Sequence, residues 1–269
     1  MSGGMKRALL TLAACFLGLA SPLFAQTEVA RAELLPGWRQ ADGSHVAGLL
    51  IDLKPGWKTY WRAPGEAGIP PRFDWSGSRN IQALQPVWPT PEVMDQNGMT
   101  SIGYPGDVVI PLRVNPANRS GDLRLTAQME LGVCKDICVP ASIRFSGTLP
   151  ERGARDPRLV AALVDQPLAA AQAGVDRVTC KVQPMQGGLH LEARIAMPPA
   201  GGREFVVVES ANPGLWVAEA QTRRQGGILT AETDLVHVNG TGFALDRSGL
   251  RFTVLGRNHA VDIRGCSAG

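Results

Sequence analysis

Leu123-Arg124-Leu125-Thr126-Ala127-Gln128-Met129-Glu130-Leu131 leads through Gly132-Val133 into Cys134-Lys135-Asp136-Ile137-Cys138, and this stretch decides the reading of the fold. Leu123, Leu125, Ala127, Met129 and Leu131 fall on one side of a period-two alternation, the pattern of a strand with one face on a core and the other toward water. A strand that ends just before two cysteines with three residues between them suggests a hairpin whose tip is Lys135-Asp136-Ile137. Working outward, Val46 to Leu53 and Asp107 to Val114 read as further strands, and Ile143 and Phe145 as part of a returning one. An antiparallel β-sandwich is therefore expected over residues 26–150. The Pro-, Gly- and Trp-rich tract from Trp57 to Met99 interrupts it and reads as too irregular for a pair of strands. Its Trp57, Tyr60, Trp61, Trp75 and Trp88 argue for a folded, functional loop rather than disorder.

Residues 151–174 change character. Asp156 is an expected N-cap, Pro157 occupies the first helical position, and Leu159, Val160, Leu163 and Leu168 recur at helical spacing. A short helical linker is expected here. Strand patterning then resumes over 175–269, with turn signals at Gly187-Gly188, Gly201-Gly202, Gly226-Gly227, Asn239-Gly240 and Arg257-Asn258. The expectation is a mostly β chain of two tandem immunoglobulin-like sandwiches joined by that linker.

The amino terminus reads as an export signal over residues 1–25: a basic head at Lys6 and Arg7, an apolar stretch from Ala8 to Ala20, and a small residue at Ala25 for cleavage. The stretch is shorter than the roughly 20 apolar residues of a membrane span. Leu12-Ala13-Ala14-Cys15 looks like a lipoprotein box, but the apolar run continues past Cys15. No later segment supplies a span, so the mature chain is expected to lack a transmembrane segment. With 27 basic residues against 24 acidic ones, two of the basic ones in the signal, the charge is near balance. No basic field for nucleic acid follows.

Beyond Cys15 the cysteines are Cys134, Cys138, Cys180 and Cys266, an even number that suits disulfides in an exported protein. Across a hairpin tip Cys134 and Cys138 would stand opposite each other at a separation suited to a bridge. Cys180 and Cys266 would then join the ends of the second sandwich. Closing the long loop from 180 to 266 should restrict the unfolded chain by about 4.6 kcal/mol, against about 2 kcal/mol for the tip. Structure is therefore expected at Cys180 and Cys266, reactivity at Cys134 and Cys138. Two other readings stay open at this point: both bridges are inert staples of a binding module, or two thiolates with a methionine or histidine carry Cu(I). Met94, Met99 and Met129 are available for that, although Met129 fits the core face.

The run Gly132-Val133-Cys134-Lys135-Asp136-Ile137-Cys138-Val139-Pro140-Ala141 resembles the redox segment in the amino-terminal periplasmic domain of DsbD-type disulfide reductases, and more closely that of their ScsB-like branch. Gly56-Trp57-Lys58-Thr59-Tyr60-Trp61-Arg62 with Pro64-Gly65, Pro71-Arg72-Phe73-Asp74-Trp75, and Gly103-Tyr104 support the resemblance. More weakly, Phe205 to Glu209, Gly214-Leu215-Trp216 and Arg264-Gly265-Cys266 resemble the companion domain of the ScsB-like proteins. What the resemblance implies is a periplasmic protein whose cysteine pair, needing no cofactor and no metal, accepts electrons from a membrane-embedded disulfide reductase and passes them to thioredoxin-like proteins. It also implies a cap over the pair at Glu92 to Tyr104, with Met94 and Met99 as its apolar side chains and Gly98 as its flexible point, and an aromatic, Tyr60, beside the cysteines. By their residue types alone, Tyr60 and Tyr104 would equally serve as core residues with a wet hydroxyl. DsbD itself has a longer gap between its cysteines and carries transmembrane and thioredoxin-like domains, neither of which is read in this sequence.

Overall fold

The computed structural model describes residues 29–96 and 98–269. The expected export segment lies outside the described residues. Strands β1 (Ala30–Arg39), β2 (His45–Leu53), β3 (Lys58–Tyr60), β4 (Arg72–Asp74), β5 (Ile81–Pro86), β6 (Glu92–Gln96), β7 (Met99–Pro105), β8 (Val108–Pro116), β9 (Leu123–Cys134) and β10 (Cys138–Leu149) make two sheets. One has the order β1-β2-β8-β5, the other β10-β9-β3-β7-β6 with β4 also on β9. In β9 the alternation is visible as burial: Leu123, Leu125, Ala127, Met129 and Leu131 all face the core, while Arg124 and Glu130 are exposed. β10 pairs with β9 along its whole length, from Leu149 opposite Leu123 to Cys138 opposite Cys134.

The tract from Trp57 to Met99 is more regular than its composition suggests. It contains β3, β4, β5 and β6 and runs into the β6–β7 hairpin. Strands of three to six residues broken by Pro and Gly carry too little alternation to be read alone; here β3, β4 and β5 form because longer neighbours, β8 and β9, offer edges to pair with, and β6 pairs with β7.

Helix α1 (Pro157–Val164) follows, with Asp156 as N-cap accepting the Arg158 N–H at 2.8 Å and Pro157 at the start. Leu159 is fully buried against Leu35 and Val46, so the helix covers the outer face of β2. That cover explains why β2 is apolar on both sides instead of alternating. Leu168, expected to continue the helical pattern, lies in a strand: β11 (Leu168–Ala169) pairs parallel to β19 (Ala260–Arg264). Pro167 forbids helix continuation just before it.

The remaining strands are β12 (Arg177–Met185), β13 (Gly188–Ala196), β14 (Phe205–Ser210), β15 (Leu215–Val217), β16 (Gln221–Gln225), β17 (Ile228–His237), β18 (Leu250–Leu255) and β20 (Ser267–Ala268). They form a second sandwich of sheets β11-β19-β18-β14 and β15-β17-β13-β12-β20, with β16 also on β17. The molecule is thus mostly β, two sandwiches in tandem. They meet over shared apolar surface. In β14, Val206 and Val208 face the core of the second sandwich, while Phe205 and Val207, with Leu255 and Ala260, pack on that of the first. Cys180 and Cys266 are bridged with their Cα atoms 5.8 Å apart, and the bridge holds β20 parallel to β12.

Candidate functional site

The β9–β10 hairpin turns through Lys135, Asp136 and Ile137, closed by the Lys135 N–H on the Ile137 carbonyl at 3.1 Å. Cys134 and Cys138 are bridged across this tip with Cα atoms 4.1 Å apart. Their surroundings differ. Cys134 is fully buried, whereas Cys138 is exposed and Ile137 beside it is 70% exposed.

β3 lies on the other side of β9 and builds the wall behind Cys134. Lys58 stands opposite Cys134 and Thr59 opposite Val133, with Thr59 Oγ1 donating to the Gly132 carbonyl at 3.0 Å. Two residues beyond Lys58 on the same face comes Tyr60, itself 1% exposed. Its hydroxyl lies 2.8 Å from Cys134 Sγ, 3.3 Å from Cys138 Sγ and 3.3 Å from the Ala67 carbonyl. Neither a disulfide sulfur nor a carbonyl has a proton to give, so the phenol is the donor in each case. The ring needs the glycine at 132: a Cβ there would stand 3.0 Å from the Tyr60 ring and 2.8 Å from Ile69 Cβ. Gly68 is similarly confined, its Cβ position lying 2.9 Å from the ring on the other side. Tyr60 is therefore gripped between β9 and the loop 63–69.

Lys58 aims along the sheet rather than at the sulfurs, its ammonium 3.5 Å from Ser101 Oγ across the position of Gly103, which has no side chain to block it. Burial pushes its pKa below the ordinary lysine value, and the charge of Asp95 only partly opposes this.

The residues of the expected cap divide. The segment is a hairpin, not a loop: Met94 pairs with Ser101, and Gly98, with φ of 82°, sits in its turn. By register Met94 and Met99 share the sheet face of Tyr60 and Cys134; Met94 is half-buried and Met99 48% exposed. Tyr104 does not belong to this group. It pairs with Thr59, hence points to the opposite face, and its hydroxyl donates to the Pro89 carbonyl at 2.9 Å within the core. Burial raises its pKa well above the ordinary tyrosine range. Met129 is fully buried in that same core. Lys58, Gly132, Ile69 and the loop carbonyl of Ala67 were not singled out from the sequence as site residues. The signal for them was faint, chiefly the glycines at 65, 68 and 132 around an aromatic.

Among the described residues no group of three or more His, Cys, Asp or Glu converges to hold a metal, and no helix is long and apolar enough to cross a membrane. What the arrangement offers is sulfur chemistry: a bridge with one sealed and one accessible end, and a fixed hydroxyl donor at the sealed one.

A β-sandwich that presents a hairpin-tip cystine in this way has the layout a thiol-disulfide exchange domain requires. Residues 31–150 match the family model described as thiol:disulfide interchange protein DsbD, N-terminal, and this segment is a domain of that type. Both sandwiches together resemble the crystal structure of the N-terminal periplasmic domain of ScsB from Proteus mirabilis, with 22% identity and a TM-score of 0.63 over 89% of this chain and 92% of that one. That likeness establishes the shared fold. No curated protein matches the chain.

Proposed function

We propose that this chain is a periplasmic relay in which Cys134 and Cys138 carry reducing equivalents between a membrane-embedded disulfide reductase and thioredoxin-like proteins. A partner thiolate attacks Cys138 Sγ, the exposed end. The S–S bond breaks, its electron pair goes to Cys134 Sγ, and a mixed disulfide joins the partner to Cys138. The partner's second thiolate then attacks its own sulfur in that mixed disulfide and frees Cys138 as a thiolate. The partner dithiol has become a disulfide and the pair has gained two electrons; the reverse sequence delivers them onward.

The observation that carries this reading is the Tyr60 hydroxyl 2.8 Å from the buried sulfur. In the oxidised state it makes only a weak bond, sulfur being a poor acceptor. Once Cys134 leaves as a thiolate the same contact becomes charge-assisted and strengthens. A hydroxyl so placed favours Cys134 as leaving group and Cys138 as the attacked atom. The family match of residues 31–150 supports the exchange chemistry, and the periplasmic setting is that of the ScsB domain.

Replacing Cys134 with Ser and trapping with a periplasmic thioredoxin-like protein should accumulate a mixed disulfide at Cys138. Peptide mapping by mass spectrometry reads the linkage. If neither that variant nor the wild-type bridge reacted with any such protein, the sandwiches would instead be a binding module with two structural bridges.

A further inference from the structure

The cystine belongs to the first sandwich, yet two elements beside it are tied down by the second. Loop 63–69 covers Tyr60, giving it the Ala67 carbonyl and the close approach of Gly68, and its far end brings Ile69 against Gly132. Arg62 immediately precedes the loop. That guanidinium lies over the Trp61 ring, 3.7 Å from its centroid, and donates to both carboxylate oxygens of Glu209 at 3.0 and 2.8 Å and to Thr253 Oγ1 at 3.2 Å. Both partners of the ion pair are mostly shielded from water, with side-chain exposures of 15% and 22%. Further along, the loop is zipped to β7 by the Ala67 N–H on the Thr100 carbonyl at 3.2 Å and the Ile102 N–H on the Pro64 carbonyl at 2.8 Å. Thr100 Oγ1 in turn donates to Glu219 at 3.0 Å. Two acidic residues of the second sandwich thus pin the loop and the hairpin it is zipped to.

We propose that the second sandwich seals the buried sulfur: through Glu209 on Arg62 and Glu219 on Thr100 it holds loop 63–69 closed over Tyr60, so that incoming reagents reach Cys138 and not Cys134. The inference rests on the exchange reading above and assigns to the second sandwich a part in it, the choice of which sulfur reacts. Arg62, Thr100, Glu209 and Glu219 are positioning residues, acting through the loop rather than on the sulfurs. A bidentate, desolvated guanidinium–carboxylate pair is the kind of contact that holds geometry as well as contributing energy. An exposed pair at the same place would fix little.

The test is residue-resolved alkylation of the reduced full-length protein by iodoacetamide, in which a cysteine thiolate displaces iodide to form a thioether. Peptide mass spectrometry follows Cys134 and Cys138 separately. In the wild type Cys138 should label promptly and Cys134 slowly. Glu209→Gln, Glu219→Ala and Thr100→Val should each speed labelling of Cys134 by about tenfold, the scale of one charge-assisted hydrogen bond, and leave Cys138 within about twofold. Glu204→Gln breaks a different ion pair of the second sandwich, with Arg224, and should leave Cys134 slow. Unchanged Cys134 rates in the pin variants, or an equal rise in Glu204→Gln, would overturn the inference. Should Glu209→Gln fail to fold, Glu219→Ala and Thr100→Val decide it. A wild-type pair that exchanges with no thioredoxin-like protein would remove the relay reading while leaving this labelling result to stand or fall alone.

Discussion

Tyr60 brings one phenolic proton within reach of two sulfurs and a carbonyl, and the nearest of the three is Cys134 Sγ, the sulfur that leaves as a thiolate when Cys138 is attacked. Hydrogen bonds to charged groups are worth about 1.5–3 kcal/mol. Tyr60→Phe should therefore slow reduction of the bridge by roughly 10- to 100-fold and raise the pKa of the reduced Cys134 thiol. Stopped-flow reduction by a dithiol, with thiolate absorbance followed against pH, reads both; a rate within twofold of wild type would show that the hydroxyl does nothing for the leaving sulfur. The two cysteines and their opposed placement at a hairpin tip were legible in the sequence, because period-two alternation runs straight into them. Tyr60 was reached by resemblance only. Its partner Gly132 was not legible as a site residue, since what forbids a Cβ there is a ring from a strand about 70 positions away.

Among the elements, the two bridges should separate cleanly. Cys180 to Cys266 holds β20 against β12 and closes a long loop, so replacing either residue with Ala should destabilise the protein by about 2–5 kcal/mol in urea titration. The bridge between Cys134 and Cys138 closes only a tip already held by the β9–β10 pairing, so replacing both residues should cost clearly less. The β6–β7 hairpin predicts a kinetic effect instead. If it shields the cystine face, Met94→Ser with Met99→Ser should speed reduction by glutathione and leave the equilibrium potential within about 30 mV, because access changes while the bridge does not. Equal rates would remove the hairpin from the shielding and leave loop 63–69 alone in that role. The long strands were readable from alternation, and the helix from Asp156 and Pro157. The strands between Trp57 and Met99 were not, for they are set by the edges of their neighbours β7, β8 and β9 rather than by their own pattern. Leu168 was misread for a related reason: two residues fit any period.

For the whole molecule, the partly buried carboxylates held below their usual pKa range, Glu204 and Asp262, both belong to the second sandwich. Burial raises the Glu204 pKa, but hydrogen bonds from Arg224 and the Ala200 N–H and the Arg224 charge outweigh it, leaving it below the usual glutamate value. Asp262 behaves alike: desolvation raises it, and hydrogen bonding and charge from Arg251, then the charges of Arg264 and Arg62, bring it down. A carboxylate with a lowered folded pKa contributes stability that is present above its unfolded pKa, near 4, and is lost as pH falls through the folded value. The two carboxylates should hence steepen the loss of unfolding free energy below about pH 4, with Glu204→Gln reducing that slope, while His45, whose pKa burial lowers, starts the loss as pH drops below about 6.5. Urea titrations across this range provide the check.

β14, with apolar side chains on both of its faces, has no solvent side to give up. Heat or acid that loosens the second sandwich uncovers Phe205 and Val207 and the patch of the first sandwich under them at the same moment. One calorimetric peak is the expected signature, with the redox tip and the acid-sensitive carboxylates lost together. A fragment ending at Leu149 would contain nearly all of the family-matched segment and every residue of the cystine hairpin, and should nevertheless be sticky in solution. The segment recognised by the family model is smaller than the unit whose apolar surfaces are all covered.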